Sequence, residues 1–204
     1  DYNQAQQLIL TIQSKGIKAY VRVGENNSRI IKRVLDSGAD GIIVPNVKNI
    51  NDAKKAIDAV IYPPKGKRGV GLARAQGYGF SFDNYMKNIS KNIILIAQIE
   101  DIEAINNLDH IISLDGIDGT LIGPYDLSAS LGEPGNFNNP LFQKAIENYN
   151  KIIKKHDKLN GYHVVPIDYK LVLDKIDSGF NFISFGFDAN FLGSSIRNQL
   201  NKIL

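Results

Sequence analysis

The 204-residue chain has no cysteine, which excludes disulfides, thiolate zinc centres and cysteine nucleophiles. No apolar run approaches the roughly 20 residues of a membrane span, and no basic run is long enough to track nucleic acid. Neither a membrane nor a nucleic-acid partner is therefore expected. The formal net charge is only +3, and Lys151, Lys154, Lys155 and Lys158 are spaced as a solvated helix face. The sequence starts at Asp1 without an initiating Met and without a signal-peptide pattern, so a cytoplasmic location is the expectation. What is present is an ordinary globular balance, 43% hydrophobic and 22% charged. That suits one domain, residues 1–204, with a core of its own.

Taken in order, the chain alternates helical and strand patterns. Asp1 is placed to cap a helix bearing Ala5, Leu8, Ile9 and Ile12 and closed by Gly16. A strand over Ala19–Val23 carries Arg22 at its end. Asn26 or Asn27 caps the next helix, with Ile30, Ile31, Val34 and Leu35, and Gly38 stops it. Gly41–Val47 reads as a second strand, broken near its end by Pro45. A helix from Asn51 ends at Pro63-Pro64. The long Gly-rich segment Pro63–Gly79 then reads as a functional loop. A helix near Asp83–Lys91 leads to a third strand, Ile93–Ile99, with an acidic helix start at Glu100–Glu103. A fourth strand at Gly119–Ile122 leads into GPYDLSASLG and a loop. A helix over Leu141–His156, a strand over Gly161–Val165, a helix over Tyr169–Ser178, a strand over Phe180–Gly186 and a helical tail complete the chain.

Six strand–helix units predict an α/β fold with a parallel sheet. A (β/α)8 TIM barrel takes about 250 residues, so the expectation is such a barrel without its first two strands. A doubly wound sheet is the alternative, but its Gly-rich turn after the first strand is missing. In a barrel the strand C-termini share one mouth. The residues there are Arg22, Pro45-Asn46, Glu100, Gly123 to Asp126, His163 and Gly186 to Asp188. Glu100 and Asp126, on adjacent strand ends, form half of a site for a hard divalent cation.

The same positions carry a specific resemblance. Arg22 in YVRVGENN, VPNV (Val44–Val47), YPPKGKRGVGLARA (Tyr62–Ala75), QIE (Gln98–Glu100) and GPYDLSASLG (Gly123–Gly132) resemble the successive motifs of the HpcH/HpaI family. These are class II pyruvate-dependent aldolases. The resemblance runs over essentially the whole chain; the pairing of QIE with GPxDLS is its specific part. It implies a divalent metal (Mg2+, Mn2+ or Co2+), an oligomer (trimer or hexamer), and aldol cleavage of a 4-hydroxy-2-oxo acid of the 2-keto-3-deoxy sugar acid type to pyruvate and an aldehyde. By motif match it makes Glu100 and Asp126 the metal ligands and Arg22 the cation that stabilises the pyruvate enolate. Gln98 and the backbone at Gly123, Pro124 and Tyr125 would line the pyruvate end, with Val70 and His163 near the aldehyde half. His163 departs from the apolar residue that some relatives have there.

The family's catalytic-base histidine lies in an EH motif that would fall ahead of Asp1. No EH pair occurs here, and the expectation is a chain that is part of a longer protein. Asp36 matches an aspartate that supports that histidine, yet by its place near a helix end it reads equally as a turn residue. Blander readings stand beside these. Glu100 and Asp126 suit helix caps, Arg22 a rim ion pair, His163 a packed ring and Asp188 a cap. Arg68 and Arg74 suit anion binding or a contact with a neighbouring subunit. A lysine Schiff base would be a different mechanism, but Lys18 begins a strand and Lys48 follows VPNV in a turn. Two rival functions remain open: a citrate-lyase-β-like acyl-CoA lyase and a non-catalytic keto-acid-binding barrel.

Overall fold

In the computed structural model, which describes residues 1–203, six strands alternate with helices. The order is α1 (Tyr2–Gln13), β1 (Tyr20–Arg22), α2 (Ser28–Asp36), β2 (Gly41–Val44), α3 (Ile50–Val60), α4 (Phe82–Asn92), β3 (Ile94–Ile99), α5 (Ile102–Asn106) and α6 (Leu108–Ile112). It continues with β4 (Gly119–Ile122), α7 (Pro124–Ser130), α8 (Pro140–Ile153), β5 (Leu159–Val164), α9 (Tyr169–Asp177), β6 (Phe182–Phe185) and α10 (Asp188–Leu200). All strands are parallel and neighbours in sequence are neighbours in the sheet.

The sheet is curled. Strands lie about 4.8 Å apart, so a flat six-stranded sheet would separate β1 from β6 by roughly 24 Å. Yet the rings of Tyr20 on β1 and Phe182 on β6 meet edge to face, centroids 5.8 Å apart. The aromatic pair lies on the concave side, and helices cover the convex one. There Val44, Leu95, Ala97, Ile99 and Ile122 are buried with Ile31, Leu35, Ala53, Ala56, Ile105, Leu108 and Ile111. The strands β2, β3 and β4 are buried along nearly their whole length, which explains their near-continuous apolar runs, while β1 and β6 are only partly covered.

Short polar side chains start the helices. Asp1, Asn27, Asn49, Asp101, Asn139 and Asp168 each accept a backbone amide in the first turn of α1, α2, α3, α5, α8 and α9, at about 1 kcal/mol apiece. Two boundaries shift. The third helix, expected from Asn51, begins at Ile50 with Asn49 as its cap. The second strand stops at Val44. The GPYDLSASLG motif forms the helix α7, started by Pro124 at its first position.

The Gly-rich segment is better ordered than a loop reading implies. Arg74–Gly79 forms a 3-10 turn, and Arg68 is 2% exposed. Its Nη2 donates to Asp36 Oδ1 at 2.7 Å and its Nη1 to the Tyr85 hydroxyl at 3.1 Å, while its guanidinium lies 4.7 Å from the Tyr62 ring centre. Lys32 pairs with the other oxygen of Asp36. Arg74 donates to the Ser37 carbonyl and to Gln13 Oε1. Within this chain, then, Arg68 and Arg74 bind the segment to α1 and α2 of their own subunit rather than facing a free anion. Asp36 is part of that clamp, at the N-terminal end of the sheet. Arg68→Ala is expected to lower stability by about 3 kcal/mol, because it leaves a buried cluster short of a partner. A thermal melt will read this as a fall in Tm of about 10 °C.

Candidate functional site

The site is a cleft of about 570 Å³ at the C-terminal ends of β1 to β4, lined by Arg22, Asn26, Asn46, Asp52, Lys55, Glu100 and Asp126 among others. Parallel pairing puts these residues together. Arg22 is the last residue of β1, Glu100 the first past β3, and Asp126 sits in the first turn of α7 just past β4.

Glu100 is 8% exposed. Its Oε2 accepts the Asn46 backbone N–H at 2.8 Å, and its Oε1 lies 3.7 Å from Arg22 Nη2. Arg22 Nε donates to Gln98 Oε1 at 3.1 Å, which aims the guanidinium. Burial pushes the Glu100 carboxyl above the usual carboxylate range and the neighbouring Asp126 adds to this, while the Asn46 amide and Arg22 pull it back. Two acids placed to repel one another, with one of them desolvated, are poorly matched by one distant guanidinium. They fit a hard divalent cation, which takes one or two carboxylates and leaves positions for substrate and water. Among the described residues no third histidine or acid joins them in a cluster.

The capping alternatives do not account for the pair. Asp101, not Glu100, caps α5, and α7 begins at Gly123 with no side-chain cap from any residue. Asp188, by contrast, is a helix-start residue whose Oδ1 accepts its neighbour's amide at 2.8 Å. Gly123 has a clear role: a Cβ there would stand 2.9 Å from Glu100 Cγ and 3.2 Å from Gln98 Nε2. Only glycine lets β4 pass this close to the acid.

Other candidates lie elsewhere. His163 and Tyr125 line a second cavity of about 280 Å³, with Phe137, Phe142 and Tyr162. Burial depresses the His163 pKa, against a backbone contact with Gly186. Pro124 borders this cavity too, and the Tyr125 ring packs on Phe137 at 5.1 Å. Val70 is 53% exposed and does not line the cleft. The glycine that follows it, Gly71, faces Lys32 and Asp36 at the far end of the sheet. No described residue lining the cleft is a histidine; His156 pairs with Asp109 on the surface. Lys48 is held by Asp101 at 2.7 Å, and that hydrogen bond raises its pKa, the reverse of an activated amine. Lys18 belongs to a cavity at the opposite end. The sequence reading missed Asn26, Asp52 and Lys55 as lining residues. They sit on a loop and on α3, away from the motif strings that had marked the strand ends.

The family model of the HpcH/HpaI aldolase/citrate lyase family matches residues 2–194. The chain belongs to this family. A 2-keto-3-deoxy-L-rhamnonate aldolase from Escherichia coli strain UTI89 is 37% identical over 182 residues, 88% of this chain and 67% of the relative. That relative is by name an aldolase, a carbon–carbon lyase. A HpcH/HpaI aldolase/citrate lyase family protein from Burkholderia cenocepacia J2315 superposes with a TM-score of 0.93 at 25% identity, covering 100% of this chain and 80% of that one. A more distant fold relative, a CitE protein of Mycobacterium tuberculosis crystallised with magnesium and acetoacetate, gives a TM-score of 0.54 at 12% identity, over 84% of this chain and 64% of that one.

In this HpcH/HpaI chain, Gly123→Ala is expected to crowd Glu100 and Gln98 and to lower stability by about 1–3 kcal/mol. A thermal melt measures it, and an unchanged Tm would show that Glu100 has room to retreat.

Proposed function

We propose that the protein cleaves a 4-hydroxy-2-oxo acid of the 2-keto-3-deoxy sugar acid type into pyruvate and an aldehyde, using a divalent cation held by Glu100 and Asp126. The observation that carries this reading is the buried Glu100 beside Asp126 with Arg22 within 3.7 Å of its Oε1. Kinship with a named 2-keto-3-deoxy-L-rhamnonate aldolase supports the sugar-acid class, and the magnesium of the CitE relative supports the cation.

When bound, the cation would supply Lewis-acid polarisation, worth several kcal/mol of charge stabilisation. The residues do the rest. Cleavage breaks the C3–C4 bond as the C4 hydroxyl gives its proton to a base and becomes the aldehyde; the bond's electron pair passes to what becomes the methyl carbon of pyruvate, negative charge develops on its 2-keto oxygen, and a proton added at that carbon completes pyruvate. Arg22, held by Gln98, offers its remaining N–H groups to that oxygen, a role worth about 3 kcal/mol on the usual mutational scale. Since Gln98 Oε1 is occupied by Arg22, its amide nitrogen is left to donate to the substrate carboxylate. The backbone from Gly123 through Pro124 to Tyr125 forms the wall on that side. His163 and Val70 serve the aldehyde half. Because Val70 stands at the other end of its own sheet, that role requires a second copy of the chain, in a trimer or hexamer. The curled six-stranded sheet is read as part of a (β/α)8 barrel, with residues 1–204 as one domain. No helix among the described residues is long and apolar enough to cross a membrane, and a cytoplasmic location is proposed.

The test is pyruvate release from a 2-keto-3-deoxy sugar acid, together with exchange of pyruvate methyl protons in D2O, with and without Mn2+. Metal-dependent activity is expected in both assays. Glu100→Gln and Asp126→Asn are each expected to lower it at least about 100-fold by removing a ligand, and Arg22→Ala by about 100-fold. A folded, Mn2+-loaded protein with neither activity overturns the proposal.

A further inference from the structure

We propose that Asn46 is the positioning residue of the Glu100 carboxylate, acting through its backbone amide and not its side chain. The inference rests on the cation-site reading above. Up to Val44, opposite Ala97, the β2–β3 ladder is regular. Even-numbered residues of β2 face β3, as the Ile94 amide on the Asp40 carbonyl shows, and Ile43 faces β1, where its carbonyl takes the Val23 amide. Continued one step past Val44, this ladder would set the Asn46 amide on the Gln98 carbonyl. That carbonyl instead accepts Val47 N–H, at 3.3 Å. One extra residue has been let into the strand end, a β-bulge.

Asn46 absorbs the extra residue with φ 55°. This left-handed conformation is open to glycine, tolerated by asparagine and resisted by β-branched residues. Pro45 before it has its own φ fixed by the ring, so the change of direction falls on Asn46. The amide released from the ladder donates to Glu100 Oε2 at 2.8 Å. With Oε2 tied, Oε1 is the oxygen left facing Arg22 and Gly123. The Asn46 side chain is exposed at the cleft and takes no part in holding the acid. What matters at position 46 is therefore the ability to stay left-handed.

The test compares Asn46→Gly, Asn46→Ala and Asn46→Val with the wild-type chain and Glu100→Gln. Mn2+ affinity is measured by calorimetry, the bound ion by its electron paramagnetic resonance spectrum, and folding by circular dichroism and melting. Asn46→Gly keeps the conformation without the side chain and is expected to stay within about threefold of wild type, while Asn46→Val loses about tenfold or more, as for other outer-shell supports, and Asn46→Ala falls between. The Mn2+ spectrum of the glycine variant should match wild type; that of the valine variant should not. If the valine variant fails to fold, the contrast between alanine and glycine decides. Wild-type affinity in a folded valine or alanine variant overturns the inference, as does a glycine variant as weak as valine. Wild-type protein that binds Mn2+ no better than Glu100→Gln overturns the cation-site reading and this inference together; a flat series on top of clear wild-type binding overturns the inference alone.

Discussion

The burial of Glu100 constrains everything around it. Taking a carboxylate out of water costs several kcal/mol unless partners replace the lost hydration. Here one amide and one guanidinium do so in part, while Asp126 works against them. The two carboxylates are left only partly compensated at the base of the cleft, and a cation is the simplest way to balance them. The parallel ladder is what makes the arrangement available. Each strand brings its C-terminal end to the same rim, so three side chains at or just past those ends, from well-separated stretches of sequence, meet without any one loop having to span the gap.

Much of the architecture is legible in the sequence because it is written locally. Apolar runs such as ILIAQI and GTLI mark buried parallel strands, and Asp or Asn before an apolar helical repeat marks a start. Arg22, Glu100 and Asp126 could be placed on one rim once the strand ends were known. What was not legible depends on contacts distant in sequence. Nothing near Asp36 signals that it will meet Arg68, since a 32-residue separation is closed only by packing the Gly-rich segment on α2. The bulge at Asn46 is invisible in composition, because it shows only as a hydrogen bond one residue out of step with its neighbours.

Val70 and His163 mark the limit of motif matching. Each occupies a position that the family resemblance attaches to the aldehyde half, but in one chain they stand in different surroundings from Glu100. His163 faces an aromatic cavity next to the cleft, and Val70 stands at the opposite end of the strands. A motif transfers residue identity along the sequence; which copy of the chain supplies the residue is a separate question of assembly.

The two ends of the sheet hold different kinds of polar cluster. At one end Arg68, Asp36, Lys32 and Tyr85 pair with each other against the Tyr62 ring, with Arg68 Nε left without a partner. At the other, Glu100 and Asp126 remain under-compensated. For a protein engineer this separates two design variables. Substitutions that reinforce the Arg68 clamp act on heat tolerance several strand residues away from Glu100, while exchanges at the rim residues Asn26, Asp52 and Lys55 alter the lining of the cleft without drawing on the same interactions. Directed evolution of the cleft would therefore leave the Arg68 clamp intact, and would draw only on the local hydrogen bonds that tie Asn26 to Asp52 and Asp52 to Lys48.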